Sequence, residues 1–217
     1  MPPLLLTVAR ALSDALALVL PVDCSGCDAP ETLLCEECRI SLAPRVRRRL
    51  IDGVAVWSGV GFEGPPARVI RALKQDGRMG LARALAPALA AAVRAAAGAG
   101  DPVVVVPVPT SRAAFRRRGY RVPDLVARRA GLRVERLLVS ARRTADQRGL
   151  GRSERARNVA GSFAARSRAR GARVVVVDDV VTTGATLLEG VRVLREAGAD
   201  VVGCATAAST PRLVTSR

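Results

Sequence analysis

Residues 174–199 read VVVVDDVVTTGATLLEGVRVLREAGA, and the fold is decided here. Four consecutive valines make a short, wholly apolar run, the pattern of a strand buried on both faces. The run ends at two adjacent acids, Asp178 and Asp179. Thr182, Thr183, Gly184, Ala185 and Thr186 follow, and apolar residues at helical spacing begin at about Leu187. A strand, a small-residue turn and a helix in that order bring backbone N–H groups and the positive end of a helix dipole to the carboxyl edge of a sheet. Open α/β sheets bind ligands at that edge. Three threonine hydroxyls add donors, and Gly184 lets a ligand approach the backbone closely. Two acids at the end of a buried strand each need a partner or a ligand. Their carboxylates can accept from the vicinal hydroxyls of a ribose whose 5-phosphate sits in the turn.

The flanking sequence repeats the alternation. PVVVVPVP at 102–109 is a second buried strand bounded by prolines, and DVVGCATAA at 200–208 is a last one. VAVWSGVGFEG at 54–64 reads as a strand pair or hairpin, and LRVERLLV at 132–139 as a further strand. PPARVIRALKQDG at 65–77 is a helix that opens on prolines and closes on Gly77. LARALAPALAAAVRAAA at 81–97 is a second helix, and a third lies around 123–131. Residues 141–162, rich in Arg, Gly and Ser, read as a loop. Strands alternating with helices predict an α/β fold with a central parallel sheet. Gly59, Gly61 and Gly64 spell G-x-G-x-x-G, but no acid lies about 20 residues beyond, so a dinucleotide site is set aside. No Walker A sequence is present.

Near the start, Cys24, Cys27, Cys35 and Cys38 form C-x2-C-x7-C-x2-C. Each pair can place two thiolates on one ion, and two pairs complete a tetrahedral S4 site suited to structural zinc. Two disulfides or a redox pair are the competing readings. With four cysteine ligands no coordination position is open to a catalytic water. The fifth cysteine, Cys204, sits in an apolar run and reads as core. Arg45 and Arg47–Arg49 follow the module as a basic linker, able to touch phosphates. The organisation expected is an amphipathic helix over 1–22, a zinc module and basic linker over 23–50, and the main domain over 51–217.

The 217 residues are 49% hydrophobic but only 2% aromatic, so the core must be built from Val, Leu and Ala. The formal charge is +16, and Lys74 is the only lysine among 35 basic residues. One retained lysine suggests a place where a compact ammonium matters, with survival by chance as the competing reading. The charge suggests an anionic partner, although an Arg-, Ala- and Gly-rich composition also follows from a GC-rich genome. The absence of His excludes Ser-His-Asp triads, His general bases and His metal ligands. The apolar run at 4–20 is interrupted by Arg10 and Asp14, so no membrane insertion is expected, and the location expected is cytoplasmic.

The segment at 174–199 resembles the phosphoribosyl pyrophosphate motif of type I phosphoribosyltransferases. The chain as a whole is similar to the ComF family of that fold, with GntX-type proteins as relatives. The resemblance runs through the four-cysteine module, FEGPPARVIRALKQDG at 62–77 with Lys74, VPVPTSRAAFRRRGY at 106–120, and TADQRGLGRSERARNVAGSF at 144–163. It implies that Asp178 and Asp179 hold the ribose hydroxyls and that Thr182–Thr186 wrap the 5-phosphate. It also implies that the turn from Pro109 to Arg112 lies by the pyrophosphate, that Mg2+ arrives with the ligand, and that the loop at Gln147–Asn158 closes over the site. Lys74 joins the two acids as an expected catalytic residue. The chain departs from the family where an Asn-Gln pair is usual, with Arg121 and Val122 in its place.

Three functions are compatible with these readings. The first is a protein of natural competence that binds phosphoribosyl pyrophosphate and works in DNA uptake, with a helicase as partner. The second is a housekeeping purine- or pyrimidine-type phosphoribosyltransferase. The third is a non-catalytic basic protein that binds nucleic acid through Arg45–Arg49, Arg116–Arg118 and Arg142–Arg143. Its five dispersed aromatics limit any DNA binding to a weak, sequence-blind contact.

Overall fold

A computed structural model describes residues 22–141 and 160–211. The element order is α1 (Glu36–Ser41), β1 (Arg47–Ile51), β2 (Val54–Gly61), α2 (Gly64–Gln75), α3 (Ala82–Ala97), β3 (Val104–Pro107), α4 (Arg112–Arg118), α5 (Val122–Arg129), β4 (Leu138–Ser140), β5 (Phe163–Ala165), β6 (Arg173–Val181), α6 (Ala185–Glu196) and β7 (Asp200–Ser209). The main sheet has strand order β1-β2-β7-β6-β3. Pairing is parallel throughout except at the edge, where β1 runs antiparallel to β2. β4 and β5 form a separate antiparallel pair.

The valine runs behave as their composition dictates. Val174–Val177 are fully buried. Val174 and Val176 face one core cluster with Leu187, Val191 and Leu194 of α6, whereas Val175 and Val177 face the other with α2, α3 and α5. The strand therefore separates two apolar layers, as a central parallel strand must. It also runs past Asp178 and Asp179, to Val181, so the acids sit inside the last turns of β6 and not beyond it.

α3 lies across β2 and β7. A Cβ on Gly59 would stand 2.2 Å from the Ala88 carbonyl oxygen, so this glycine of the G-x-G-x-x-G pattern serves helix-on-strand packing. The 3-10 turn and helix over Met79–Ala97 are long and apolar enough to cross a membrane by composition, yet half of that stretch is buried in the core. Ile70, Leu73, Leu85 and Leu89 fill the layer between α2, α3 and the sheet. Truncating any one of them to Ala would cost about 2–5 kcal/mol.

Several expectations are revised. The strand pair expected over 54–64 is one strand, β2; its hairpin partner lies upstream. Arg47–Arg49, expected in a linker, form β1. Ile51 pairs with Val54 around the two-residue turn Asp52-Gly53, whose φ values are 46° and 77°. Asp-Gly with both φ positive is the turn that matches strand twist. The strand expected over 132–139 reduces to one bridge, Val105 with Val134, and to β4. α4 was not anticipated. The helix expected over 1–22 lies outside the described residues, apart from its last position.

The cysteine module is not separated from the main domain. Cys24, Leu34, Cys38 and Leu42 belong to the same buried cluster as Ile70 and Leu73. Arg68 of α2 pairs with Asp28, and Arg78 Nη1 donates to the Asp23 carbonyl at 2.7 Å and to Ser25 Oγ at 2.9 Å.

Candidate ribose-phosphate site and metal centre

The carboxyl ends of β3 and β6 open on a cleft of about 400 Å³. Lys74, Arg118, Asp178, Asp179, Thr182 and Thr186 line it, with Pro109–Ser111 on the β3 side. Behind the turn after β6 lies a cradle of about 30 Å³, walled by Thr182–Leu187 and Asp178. That is room for one small group. Gly184 caps α6 with φ of 90°, a left-handed conformation that favours glycine. A Cβ there would stand 2.8 Å from Ile51 Cδ1. Its carbonyl accepts the first helical bond, from Leu188 N at 2.9 Å. The amides ahead of Leu188 have no intrahelical acceptor, and those of Thr186 and Leu187 can serve an anion. Thr183 Oγ1 already accepts from Ala185 N at 3.4 Å. On the other side, Arg49 Nη2 donates to the Thr182 carbonyl at 3.0 Å.

Adjacent residues on a strand face opposite ways, and the two acids are treated differently as a result. Asp179 is 7% exposed and accepts from Lys74 Nζ at 2.7 Å. That ammonium comes from the last turn of α2, 105 residues away in sequence. Asp178 accepts from the Asp179 backbone N–H at 2.8 Å. Burial first, and then the neighbouring Asp179 carboxylate, push the Asp178 carboxyl up to about 8 against the pull of Lys74. The site thus holds one carboxylate locked to a lysine and a second carboxyl that keeps its proton near neutrality.

Lys74, singled out by composition, is brought into contact with the acid pair. Thr182 and Thr186 reach the cleft, and Thr183, Gly184 and Ala185 complete the cradle. Arg112, in contrast, is exposed on the first turn of α4 and does not line the cleft; Arg118, one helix length on, does. Ser111 caps α4, accepting from Ala114 N at 3.2 Å. Val122 stands on the cleft wall, so an apolar side chain occupies a place where the family usually carries an amide. Arg121 stacks on Phe115, its guanidinium carbon 4.3 Å from the ring centre. Gln147–Asn158 and Arg142–Arg143 lie outside the described residues. The chain on either side of that segment is joined by Ala141 N donating to the Ser162 carbonyl at 2.8 Å.

Sequence reasoning missed Tyr120, 9% exposed, whose hydroxyl donates to the carbonyl of Leu73, immediately before Lys74. A buried phenol needs a partner, and its place two residues beyond a run of arginines gave no hint of which one.

The second centre is compact. The sulfur atoms of Cys24, Cys27, Cys35 and Cys38 all lie within 4.8 Å of one another, and Cys27 and Cys35 are 3.5 Å apart. Tetrahedral zinc with bonds of about 2.3 Å separates its sulfurs by about 3.8 Å, so the set fits a metal such as zinc. None of the four is in a disulfide. Burial raises the Cys24 thiol, but backbone N–H donors from Cys35, Gly26 and Cys27 outweigh it and hold the group down at about 6. Cys35 N and Gly26 N reach its sulfur at 3.3 and 3.4 Å. Burial and the surrounding thiols push Cys38 up. Cys204 is fully buried, and burial lifts its thiol to about 12, in keeping with an inert core role.

Residues 81–214 match the family model of the phosphoribosyl transferase domain, a span that holds the acid pair and the cradle but excludes Lys74 and the four clustered cysteines. The chain is 30% identical over 149 residues to Competence protein F of Haemophilus influenzae, covering 64% of this chain and 65% of that protein. It is 60% identical over 37 residues to Orotate phosphoribosyltransferase 2 of Mesorhizobium japonicum, covering 17% of this chain and 19% of that one. The chain thus spans less than two thirds of either relative's length. Among solved structures, it aligns with glutamine phosphoribosylpyrophosphate amidotransferase from B. subtilis at 29% identity and a TM-score of 0.33, over 57% of this chain and 24% of that one.

Proposed function

This chain belongs to the phosphoribosyl transferase domain family, and we propose that it binds phosphoribosyl pyrophosphate across the β3–β6 cleft. The observation that supports this most is the joining of the acid pair to the threonine cradle within one strand-turn-helix, with Lys74 held against Asp179 at 2.7 Å. The 5-phosphate sits in the Thr182–Thr186 cradle, on free helix amides and threonine hydroxyls. The ribose diol lies against Asp178 and Asp179. The pyrophosphate extends toward Pro109–Ser111, where the Arg118 side chain on the cleft wall offers a counter-charge. Mg2+ comes with the ligand and neutralises pyrophosphate oxygens. As an enzyme, the protein would have a nitrogen nucleophile form a bond to ribose C1 as the C1–oxygen bond breaks and pyrophosphate leaves. Such chemistry needs positioning and charge stabilisation, not a covalent nucleophile. The cysteine centre carries structural zinc that fixes the module against α2.

In the cell we place this binding in DNA uptake during natural transformation, in the cytoplasm, with a helicase as protein partner and weak, salt-sensitive contacts to DNA. The 30% identity to Competence protein F supports that placement. A housekeeping phosphoribosyltransferase is the second reading, favoured by the short 60% match to an orotate phosphoribosyltransferase.

Calorimetric titration with Mg-phosphoribosyl pyrophosphate tests the binding. Wild type should bind, and Asp178→Ala/Asp179→Ala should lose at least about 30-fold in affinity, from one charge-assisted contact worth roughly 1.5–3 kcal/mol and one neutral contact worth about 0.5–1.5 kcal/mol. Absence of binding by folded, zinc-loaded wild type would reject the reading. Transformation frequency of a host carrying the same double variant separates the two cellular roles: an unchanged frequency rejects the link to DNA uptake.

A further inference from the structure

A second cleft opens beside the first, at the carboxyl ends of β2 and β7. Its volume is about 220 Å³, and Arg47, Arg48, Arg49, Ser58, Glu63 and Thr210 are on its walls. Three consecutive arginines and a single acid, Glu63, line it. Among the described residues none of the three makes an ion pair, whereas Arg68, Arg136, Arg173 and Arg192 each do. Gathering unpaired like charges on one short edge strand is unfavourable unless an anion is bound there.

The arginines are also held in place. Arg49 Nη2 is anchored on the Thr182 carbonyl at 3.0 Å, while its Nε is shut off from solvent and meets no acceptor among the described residues. Such a donor is costly to leave unsatisfied. Arg48 rests on Trp57, its guanidinium carbon 5.6 Å from the ring centre. Strand β1 is pinned in turn by the Asp52-Gly53 hairpin and five registered pairs with β2. Planar guanidiniums fixed by packing match phosphate oxygens two at a time and lose little freedom on binding. Thr210 closes one wall, its Oγ1 donating to the Val181 carbonyl at 3.4 Å. The cleft is smaller than the roughly 300–1,000 Å³ of sites for drug-sized ligands, so it suits a phosphate group with a few atoms attached.

We propose that the cleft formed by Arg47, Arg48 and Arg49 with Thr210 is a second anion site, taking one phosphate group independently of the cradle after β6. The phosphate is carried by a small metabolite or by the end of a short polynucleotide. The site needs neither Mg2+ nor the acid pair, so it does not depend on the ribose-phosphate reading.

The test follows the arginine Nε–Hε signals by NMR in the full chain, titrated with inorganic phosphate without magnesium. Signals of Arg47, Arg48 and Arg49 should shift and saturate in the millimolar range, with Arg49 as the reporter that every variant keeps. Charge reversal by Arg47→Glu/Arg48→Glu should weaken this binding at least tenfold, and the milder Arg47→Ala should weaken it about threefold in a protein with wild-type melting. Thr183→Ala/Thr186→Ala, which alters only the cradle, should leave it unchanged. A shift that never saturates, or one that survives charge reversal, overturns the proposal; loss of saturation in the cradle variant alone does so too, by assigning the phosphate to the first site. A 5′-phosphorylated dinucleotide then distinguishes the sources. Binding tenfold tighter than phosphate points to a polynucleotide end, and equal binding to a small phosphate compound; both require the arginines.

Discussion

Two centres lie toward opposite ends of helix α2. In its second turn Arg68 pairs with Asp28, beside the four cysteines; in its last turn Lys74 reaches Asp179. The cysteine centre draws all its ligands from residues 24–38 and closes on itself, with sulfurs within 4.8 Å. The ribose-phosphate site is assembled from residues near 74, 109–118 and 178–186 and remains an open cleft of about 400 Å³. One centre is closed, and a metal bound there would supply folding energy. The other stays open and keeps a carboxyl raised to about 8, an arrangement that costs stability. Damage to the first should therefore appear as lost stability, and damage to the second chiefly as lost affinity.

The largest effect expected is at the closed centre. Cys38→Ser should reduce zinc from about one per chain to almost none, because structural sites need all four ligands. The melting temperature should fall by about 10 °C, from a loss of roughly 3–5 kcal/mol at about 2–4 °C per kcal/mol. Metal analysis and calorimetric melting check this. An unchanged melting temperature would dissolve the contrast between the centres.

Gly184→Ala comes next. It puts a Cβ on a residue with φ of 90°, against Ile51, and should cost about 1–3 kcal/mol of stability. It should also lower Mg-phosphoribosyl pyrophosphate affinity by about tenfold or more through displacement of the cradle amides. It is the one position where both kinds of damage are expected together.

Lys74→Met should lower affinity by about tenfold, the worth of one charge-assisted contact of about 1.4 kcal/mol. Lys74→Arg should restore part of the loss. Equal affinity in all three proteins would remove Lys74 from the site.

The last expected effect is a pH dependence at Asp178. Its pKa is raised in the folded chain from the ordinary 3.8 to about 8. The folded protein therefore keeps a proton that the unfolded chain gives up between those limits, and the carboxyl's contribution to stability is lost as pH rises through the interval. Asp178→Asn removes this dependence. Its melting temperature relative to wild type should climb steadily between pH 5 and pH 8. A constant difference across that range would mean that Asp178 is not desolvated.

How far the sequence could be read follows from the same contrast. The zinc module and the strand-turn-helix at 174–199 were legible because their parts are contiguous and their spacing is chemical. The Lys74–Asp179 pair was not: the two residues are 105 positions apart, and only the rarity of lysine drew attention to one of them. Strand β1 was hidden because its arginines carry no apolar alternation, although the Asp52-Gly53 turn announced a hairpin. Arg118 and Tyr120 were obscured by the arginine run around them. Which of three consecutive basic side chains turns into a cleft depends on the helical phase of α4, which a seven-residue segment does not reveal.

The central claim is tested most directly by a crystal structure of the zinc-loaded chain with Mg-phosphoribosyl pyrophosphate. The account predicts the 5-phosphate within hydrogen-bonding distance of the Thr183–Thr186 amides and hydroxyls, and the ribose diol on Asp178 and Asp179. A 5-phosphate seated anywhere else, the Arg47–Arg49 cleft included, with the cradle left unoccupied, would contradict it.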